Sequence, residues 1–503
     1  MRCKRFILLF TLLVGYRIGA TAQINELERA TPESQGVASA SVSEFFTQLM
    51  AFPNTEIHSV MVLRHGKVIG EMFPKPFAAE YSHTLYSASK TFVAAAVGLA
   101  VQENRLRLTD RVATFFPDEL PANVSNNLAN MTVRDLLTMQ SGITPDWTMR
   151  NNRKDWITGW LAKSVSTPGK KFAYDSMSTY LLSAIVQKET GKSTLEYLKQ
   201  KLFNKMNITK VNWEESPEGF NTGGWGLYLQ SESLAKFGQL LLNGGLWNGE
   251  QLLPADWVKE MSKQQLASTS TSYGYQMWID ETNGWSRADG ALGQYIIVMP
   301  ETDMVVVITQ CCMGKSTDER GLIGTYLLKD IQEEPFEENE RAYKQLTKKS
   351  ANSSLDFVEG KITSVNVTAL HKKEITLSKN NLDWKSLQFN FQNGELSLLI
   401  TKTDGSKYTV NAGFKEWKTI KTSVTPPYSI GAMDRFKGIR KEFMVAASYA
   451  WKDKNTLGMR IHYANWVTSV RLLFTLDANK NVTLHVKENY VDKSSKISCK
   501  IAQ

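Results

Sequence analysis

Histidine is scarce in this 503-residue chain, and where it is missing matters more than how little there is. The six histidines are His58, His65, His83, His371, His462 and His485, and none lies between residues 84 and 370. No H-E-x-x-H, C-x-x-C, G-x-S-x-G or G-x-x-x-x-G-K-[ST] occurs. That disfavours zinc hydrolases, nucleophile-elbow hydrolases and nucleotide enzymes, and nothing implies a metal or cofactor. A Ser-His-Asp triad would have to borrow its histidine from the first 83 residues or the last third. Cysteine is scarcer still. Beyond Cys3 only Cys311, Cys312 and Cys499 remain, and three thiols cannot all pair within one chain, so this is no disulfide scaffold. No segment beyond the N-terminus is apolar for long enough to span a bilayer.

What is present begins with an export pattern. Arg2, Lys4 and Arg5 precede an apolar run from Phe6 to Tyr16, and Ala20-Thr21-Ala22 offers an A-x-A cleavage site before Gln23. Residues 1–22 therefore read as a signal peptide, and the mature protein as secreted or periplasmic with no stable membrane insertion. The net charge of +9 is unevenly spread. Residues 351–503 hold 23 basic and 13 acidic side chains, whereas residues 23–350 hold 32 and 37. The lysines of the last third are dispersed, which describes a solvated surface rather than a nucleic-acid-binding face.

The chain divides by pattern. Ser59 to Phe73 reads as two strands around a His65-Gly66 turn. Thr84 to Asn104 is an alanine-rich helical run, apolar on nearly every face after Lys90, as befits a core helix. Further helices are expected over Thr132–Met139, Met177–Thr190, Ser233–Leu242 and Leu322–Ile331, with strands over Tyr273–Ile279, Tyr295–Met299 and Met304–Thr309. Strands at both ends around a helical middle predict an α+β domain over residues 23–332, its antiparallel sheet flanked by helices. A charged linker follows at 333–350. Residues 351–503 then alternate in short runs: Lys361–Val367, Ser386–Phe391, Leu396–Thr401, Tyr408–Ala412, Phe443–Ala450, Gly458–Tyr463, Arg471–Leu476 and Val482–Val486. Asn393-Gly394 and Asp404-Gly405 punctuate them, so this part is an all-β barrel or sandwich.

With histidine absent from the middle, a serine can be activated by lysine instead. Ser87-Ala88-Ser89-Lys90 is an S-x-x-K motif, and on a helix this spacing sets both side chains on one face, one turn apart. A lysine that accepts the serine proton must be neutral, a state favoured by burial and by nearby positive charge. A serine in the first turn also offers its backbone N–H to a developing oxyanion. Ser233-Leu234-Ala235-Lys236 matches the same pattern, but it opens an amphipathic helix beside Glu232. It reads as a helix cap followed by a surface lysine.

Five segments together resemble the β-lactamase-related serine hydrolases over roughly residues 30 to 330. They are Leu85-Tyr-Ser-Ala-Ser-Lys-Thr-Phe, Val133-Arg-Asp-Leu-Leu-Thr-Met-Gln-Ser-Gly142, Tyr174-Asp-Ser-Met-Ser-Thr-Tyr-Leu-Leu-Ser183, Gly223-Gly-Trp-Gly226 and Ala288-Asp-Gly-Ala-Leu-Gly-Gln294. That group includes class C β-lactamases, penicillin-binding carboxypeptidases, D-aminopeptidases, esterases and 6-aminohexanoate-dimer hydrolases. The resemblance implies Ser87 as nucleophile, Lys90 as base and Tyr174 as the proton-shuttling tyrosine. It implies an oxyanion site at the N–H groups of Ser87 and Ala291. Ser176, Trp225 and Gly290 would meet a small-molecule or peptide-like substrate, Gly290 by allowing close backbone approach. Trp147, Trp156 and Trp160 fall in segments that line the cleft in this family. Two departures stand out. Ser176 replaces the family's asparagine, and Ala288-Asp289-Gly290 replaces K-T-G or H-x-G, with Arg287 expected to point away. These favour an ester or amide hydrolase over a D-Ala carboxypeptidase or β-lactamase, and the intact Ser87, Lys90 and Tyr174 argue against a non-catalytic sensor.

Overall fold

The computed structural model describes residues 26–266, 271–313, 319–426, 433, 435–479, 481–489 and 494–501. The expected signal peptide lies outside the described residues. Helix α1 (Ser39–Met50) precedes the hairpin of β1 (Thr55–Arg64) and β2 (Lys67–Met72), which turns at His65-Gly66 with both residues at positive φ. Helices α2 (Ser89–Gln102), α3 (Ser176–Thr190) and α4 (Ser231–Leu242) form the helical middle. The chain returns to the sheet through β3 (Trp278–Asp280), β4 (Trp285–Gly290), β5 (Gln294–Met299) and β6 (Met304–Cys312).

The sheet order is β2-β1-β6-β5-β4-β3, antiparallel throughout. Its centre joins the two ends of the domain, with Val62 opposite Val306. The uninterrupted apolar runs Val60–Leu63 and Met304–Ile308 are buried, as strands covered on both faces must be. One face packs on α1 through Val42, Phe45, Phe46 and Leu49. The other packs on α2 and α4 through Phe92, Leu234 and Phe237. Helix α4 approaches closely because Gly238 crosses the sheet, where a Cβ would lie 2.6 Å from Val305 and 2.8 Å from Ile296.

Several expected elements differ. Of the Tyr273–Ile279 run only Trp278 and Ile279 fall in a strand, Trp278–Asp280, because Gln276 takes a positive φ and its amide turns inward to the carbonyls of Leu136 and Leu137. The Leu322–Ile331 helix is instead a short turn at Glu319–Leu322 followed by a π-helical turn at Ile323–Leu327. Ser233 is not a cap. Helix α4 starts two residues earlier, and Lys236 is buried, its amine donating to the Met206 carbonyl at 3.2 Å. The charged stretch after the domain holds α5 (Glu340–Asn352), whose Leu346 joins the core under α1.

The C-terminal part is a β-barrel. Its strands are β7 (Glu374–Leu377), β8 (Trp384–Gln392), β9 (Glu395–Lys402), β10 (Lys407–Gly413), β11 (Lys418–Thr422), β12 (Phe443–Trp451), β13 (Thr456–Tyr463), β14 (Ser469–Leu476), β15 (Val482–Glu488) and β16 (Ser495–Ile501). They run in the order β10-β9-β8-β7-β16-β15-β14-β13-β12-β11. A parallel pairing of β10 with β12, Ala412 opposite Ala447, closes nine strands into a ring, and β11 adds to β12. Alternate residues such as Leu398, Ile400, Leu472, Phe474 and Leu484 fill the interior. Lys361–Val367 is not a strand but leads into a helical turn at Val367–Leu370.

The barrel seats against the first domain at a buried polar and aromatic seam. Arg460 pairs with Glu56 at 2.5 Å, and the Thr84 N–H donates to the Asn465 carbonyl at 3.1 Å. Trp466 stacks 5.9 Å from Tyr228 and lies 5.6 Å from Tyr86, the residue before Ser87.

Candidate active site

The nucleophile turn is built by the chain around it. The short strand His83–Thr84 pairs with Leu227–Leu229, and the Leu85 N–H donates to the Leu227 carbonyl at 2.9 Å. Tyr86–Ala88 then forms a 3₁₀ turn that leads into α2, with Tyr86 at φ 45°. A bulky residue in the left-handed region is strained, and such strain concentrates where side chains are held for chemistry. The Ser89 hydroxyl ties the helix start to the Leu227 N–H at 3.1 Å.

Lys90 reaches back along the helix to Ser87, as the spacing requires, and is 1% exposed. Its Nζ lies 2.9 Å from Ser87 Oγ, 2.8 Å from Ser176 Oγ and 2.7 Å from the Gly224 carbonyl. Burial is the largest influence on this amine and Arg150 adds to it. Against the opposing pull of Asp175 and Asp289, the pKa falls from the ordinary lysine value to about 7.

Tyr174 stands on the segment leading into α3. Its phenol hydrogen-bonds Ser87, and its ring packs 5.5 Å from Trp278. The Lys90 amine lies 4.9 Å from the Tyr174 ring centre. Burial raises the phenol above its ordinary value, so it stays protonated at neutral pH. Asp175 turns the other way and serves the fold, capping α3 at Met177 N and accepting from Trp160 Nε1 at 2.8 Å. Ser176 is thus engaged with the lysine as well as facing the cavity.

The opposite wall is the end of β4. A Cβ on Gly290 would lie 2.2 Å from the Leu85 carbonyl oxygen, so the strand and the nucleophile turn meet at a distance only glycine permits. Ala291 follows, lining the same cavity as Ser87. Alternation along β4 has the reverse sense from that expected. Ala288 faces the core under α2, while Arg287 and Asp289 share the cavity side and pair at 3.0 Å. Burial raises the Asp289 carboxyl above its usual range, against the pull of Arg287.

These walls enclose about 410 Å³, completed by Trp147, Arg150, Trp225, Trp278 and Arg435. The volume suits a small molecule or a dipeptide-sized fragment. Trp225 and Trp147 face the cavity, whereas Trp156 and Trp160 are core residues. Arg150, Trp278 and Arg435 carried no sequence signal as site residues, and Asp289 stood out only within the Ala288-Asp289-Gly290 departure. Arg435 comes from the far end of the chain, joined to the barrel, and only the three-dimensional fold brings it to Ser87. No group of three or more metal-ligating side chains gathers among the described residues.

The family model described as Beta-lactamase matches residues 25–323. The chain belongs to that family. It is 25% identical over 323 residues to 6-aminohexanoate-dimer hydrolase of Paenarthrobacter ureafaciens, an alignment covering 57% of this chain and 81% of the relative. It is also 25% identical over 174 residues to the protein flp of Staphylococcus aureus, covering 31% of this chain and 35% of that one. Among solved structures, a candidate 6-aminohexanoate-dimer hydrolase from Bacillus anthracis superposes with a TM-score of 0.50 at 19% identity. That match covers 60% of this chain and 85% of the other, and the likeness is one of fold. The barrel lies beyond the residues that the family model matches. No helix among the described residues is long and apolar enough to cross a membrane.

Proposed function

We propose that this member of the beta-lactamase family is an exported serine hydrolase that opens ester or amide bonds through an acyl-enzyme on Ser87. The observation that carries the reading is the Lys90 amine, buried, 2.9 Å from Ser87 Oγ and pushed down to about 7. A lysine with that pKa is about half neutral at pH 7 and so able to accept a proton, which an ordinary lysine is not.

In the forward half, neutral Lys90 takes the Ser87 proton as Oγ bonds to the substrate carbonyl carbon. The oxyanion is received between the N–H groups of Ser87 and Ala291. As the carbonyl re-forms and the bond to the leaving group breaks, the Tyr174 phenol gives that group its proton and regains one from the Lys90 ammonium. The raised phenol pKa suits Tyr174 to this relay better than to acting as a resting base. In the second half, water gives its proton back along the same path and its oxygen displaces Ser87 from the acyl carbon.

Amide cleavage is supported by the likeness to a protein whose name states hydrolysis of the 6-aminohexanoate dimer. A carboxypeptidase or β-lactamase role is less favoured, because Ala288 brings no cation where the family places lysine or histidine. Export rests on the N-terminal pattern of residues 1–22.

The test is parallel labelling of the wild type and Ser87→Ala with a fluorescent fluorophosphonate and a fluorescent penicillin. Fluorophosphonate labelling of the wild type alone is the expected result. Lasting penicillin labelling would shift the reading to a wall-peptide or sensor role, and label persisting in Ser87→Ala would move the nucleophile elsewhere.

A further inference from the structure

Arg150 is a charged side chain of the cavity that neither gives nor takes the transferred proton. It is 8% exposed and lines the same wall as Trp147 and Trp225. Its guanidinium lies 4.7 Å from the Trp147 ring and 5.3 Å from the Trp225 ring, and its Nε donates to the Trp147 carbonyl at 3.0 Å. No carboxylate among the described residues pairs with it. The charges that act on it are like charges: Arg435 repels it, and it in turn helps hold the Lys90 amine down. Arg435 has its own partner, with Nε 2.8 Å from Glu214 Oε2 and Nη2 2.8 Å from Oε1. Asp289, the one acid among the described residues that line the cavity, is taken by Arg287.

Among the described residues, the cleft therefore holds one buried cation more than the acids around it balance. A buried guanidinium without a carboxylate is costly, and an anion arriving from outside relieves that cost. Its planar fork matches a carboxylate in two parallel hydrogen bonds. Beside it, the indole N–H of Trp225 is buried with no acceptor among the described residues. The position is also braced from the barrel side, where the Met433 N–H donates to the Arg150 carbonyl at 2.6 Å.

We propose that Arg150 is a carboxylate subsite and that the substrate is a small monoanionic ester or amide, its charged group held between Trp147 and Trp225. The proposal rests on the serine-hydrolase reading and narrows it to a substrate class. It also assigns recognition to a wall other than β4, where Ala288 supplies no cation.

The test compares kcat/KM for 4-nitrophenyl butyrate and mono-4-nitrophenyl glutarate in the wild type, Arg150→Met and Arg150→Lys. The quantity read is the ratio of anionic to neutral ester. The wild type is expected to favour the anion by about tenfold or more, Arg150→Met to lose that preference, and Arg150→Lys to keep part of it. A wild-type ratio near one, or the same ratio in Arg150→Met, overturns the subsite. If neither ester turns over and fluorophosphonate leaves Ser87 unlabelled, the hydrolase reading fails separately. Tryptophan emission then reads the subsite in the wild-type protein, titrated with glutarate monoamide against glutaramide. Saturable binding of the anion alone sustains the subsite, and equal or absent response to both removes it.

Discussion

At the scale of single residues, the site is governed by which group can lose a proton near neutrality. Lys90 can, because burial brings it to about 7, and Tyr174 cannot, because burial raises its phenol. Catalysis requires the neutral amine, and its fraction grows as pH rises through the folded pKa. Hence kcat/KM is expected to climb about tenfold per pH unit below pH 7 and to level off above it. No descending limb from Tyr174 is expected in the neutral range. A pH–rate series on any turned-over ester checks this, and a profile flat from about pH 5 to 9 would take the base role from Lys90. Ser87 and Lys90 were legible because one helix turn separates them. Tyr174, Ser176, Gly290 and Ala291 were reachable only through resemblance, since nothing local ties them to Ser87. Arg150 was not legible at all. It sits in the 3₁₀ segment Trp147–Asn151, where no periodicity marks a side chain as facing a cavity.

At the scale of elements, the site depends on two backbones meeting. The end of β4 and the turn before Ser87 approach until Gly290 has no room for a side chain, the obstacle being the Leu85 carbonyl rather than a side chain that could swing away. The expected effect of Gly290→Ala is a shift of strand against turn, costing about 1–3 kcal/mol of stability by overpacking. A misplacement of this kind near reacting atoms lowers rates by up to roughly a hundredfold. Thermal melts together with fluorophosphonate labelling rates measure both effects. A variant that melts and labels like the wild type would show that the approach is not tight. The elements themselves were well marked where burial is uniform, as in α2, or alternates strictly, as in β14 and β15. They were poorly marked where a polar side chain turns inward. Gln276 interrupts the expected strand to satisfy two helix-end carbonyls, and Lys236 sinks into a helix–loop contact against the expectation its charge sets.

At the scale of the whole molecule, the barrel packs against the turn that carries Ser87. Sequence pattern separated it as an independent all-β unit, because alternation and turn residues report on strands and not on what the strands touch. Its loop residue Trp466 packs on Tyr86 and Tyr228, and Tyr86 is the strained residue that aims Ser87. Glu214 of the first domain locks Arg435 at the cavity edge, and Glu56 holds Arg460 farther along the seam. If the seam holds the nucleophile turn in place, loosening it at Trp466 should slow acylation even though Trp466 does not line the cavity. Trp466→Leu is expected to lower the fluorophosphonate labelling rate by about tenfold to a hundredfold. The comparison that separates support from general destabilisation is Trp451→Leu, the same loss of volume at a buried barrel residue that packs on Phe391. With the two variants matched for melting temperature, a rate loss confined to Trp466→Leu assigns the barrel a positioning role. Equal rates in both would make it a passenger, attached to a site that stands without it.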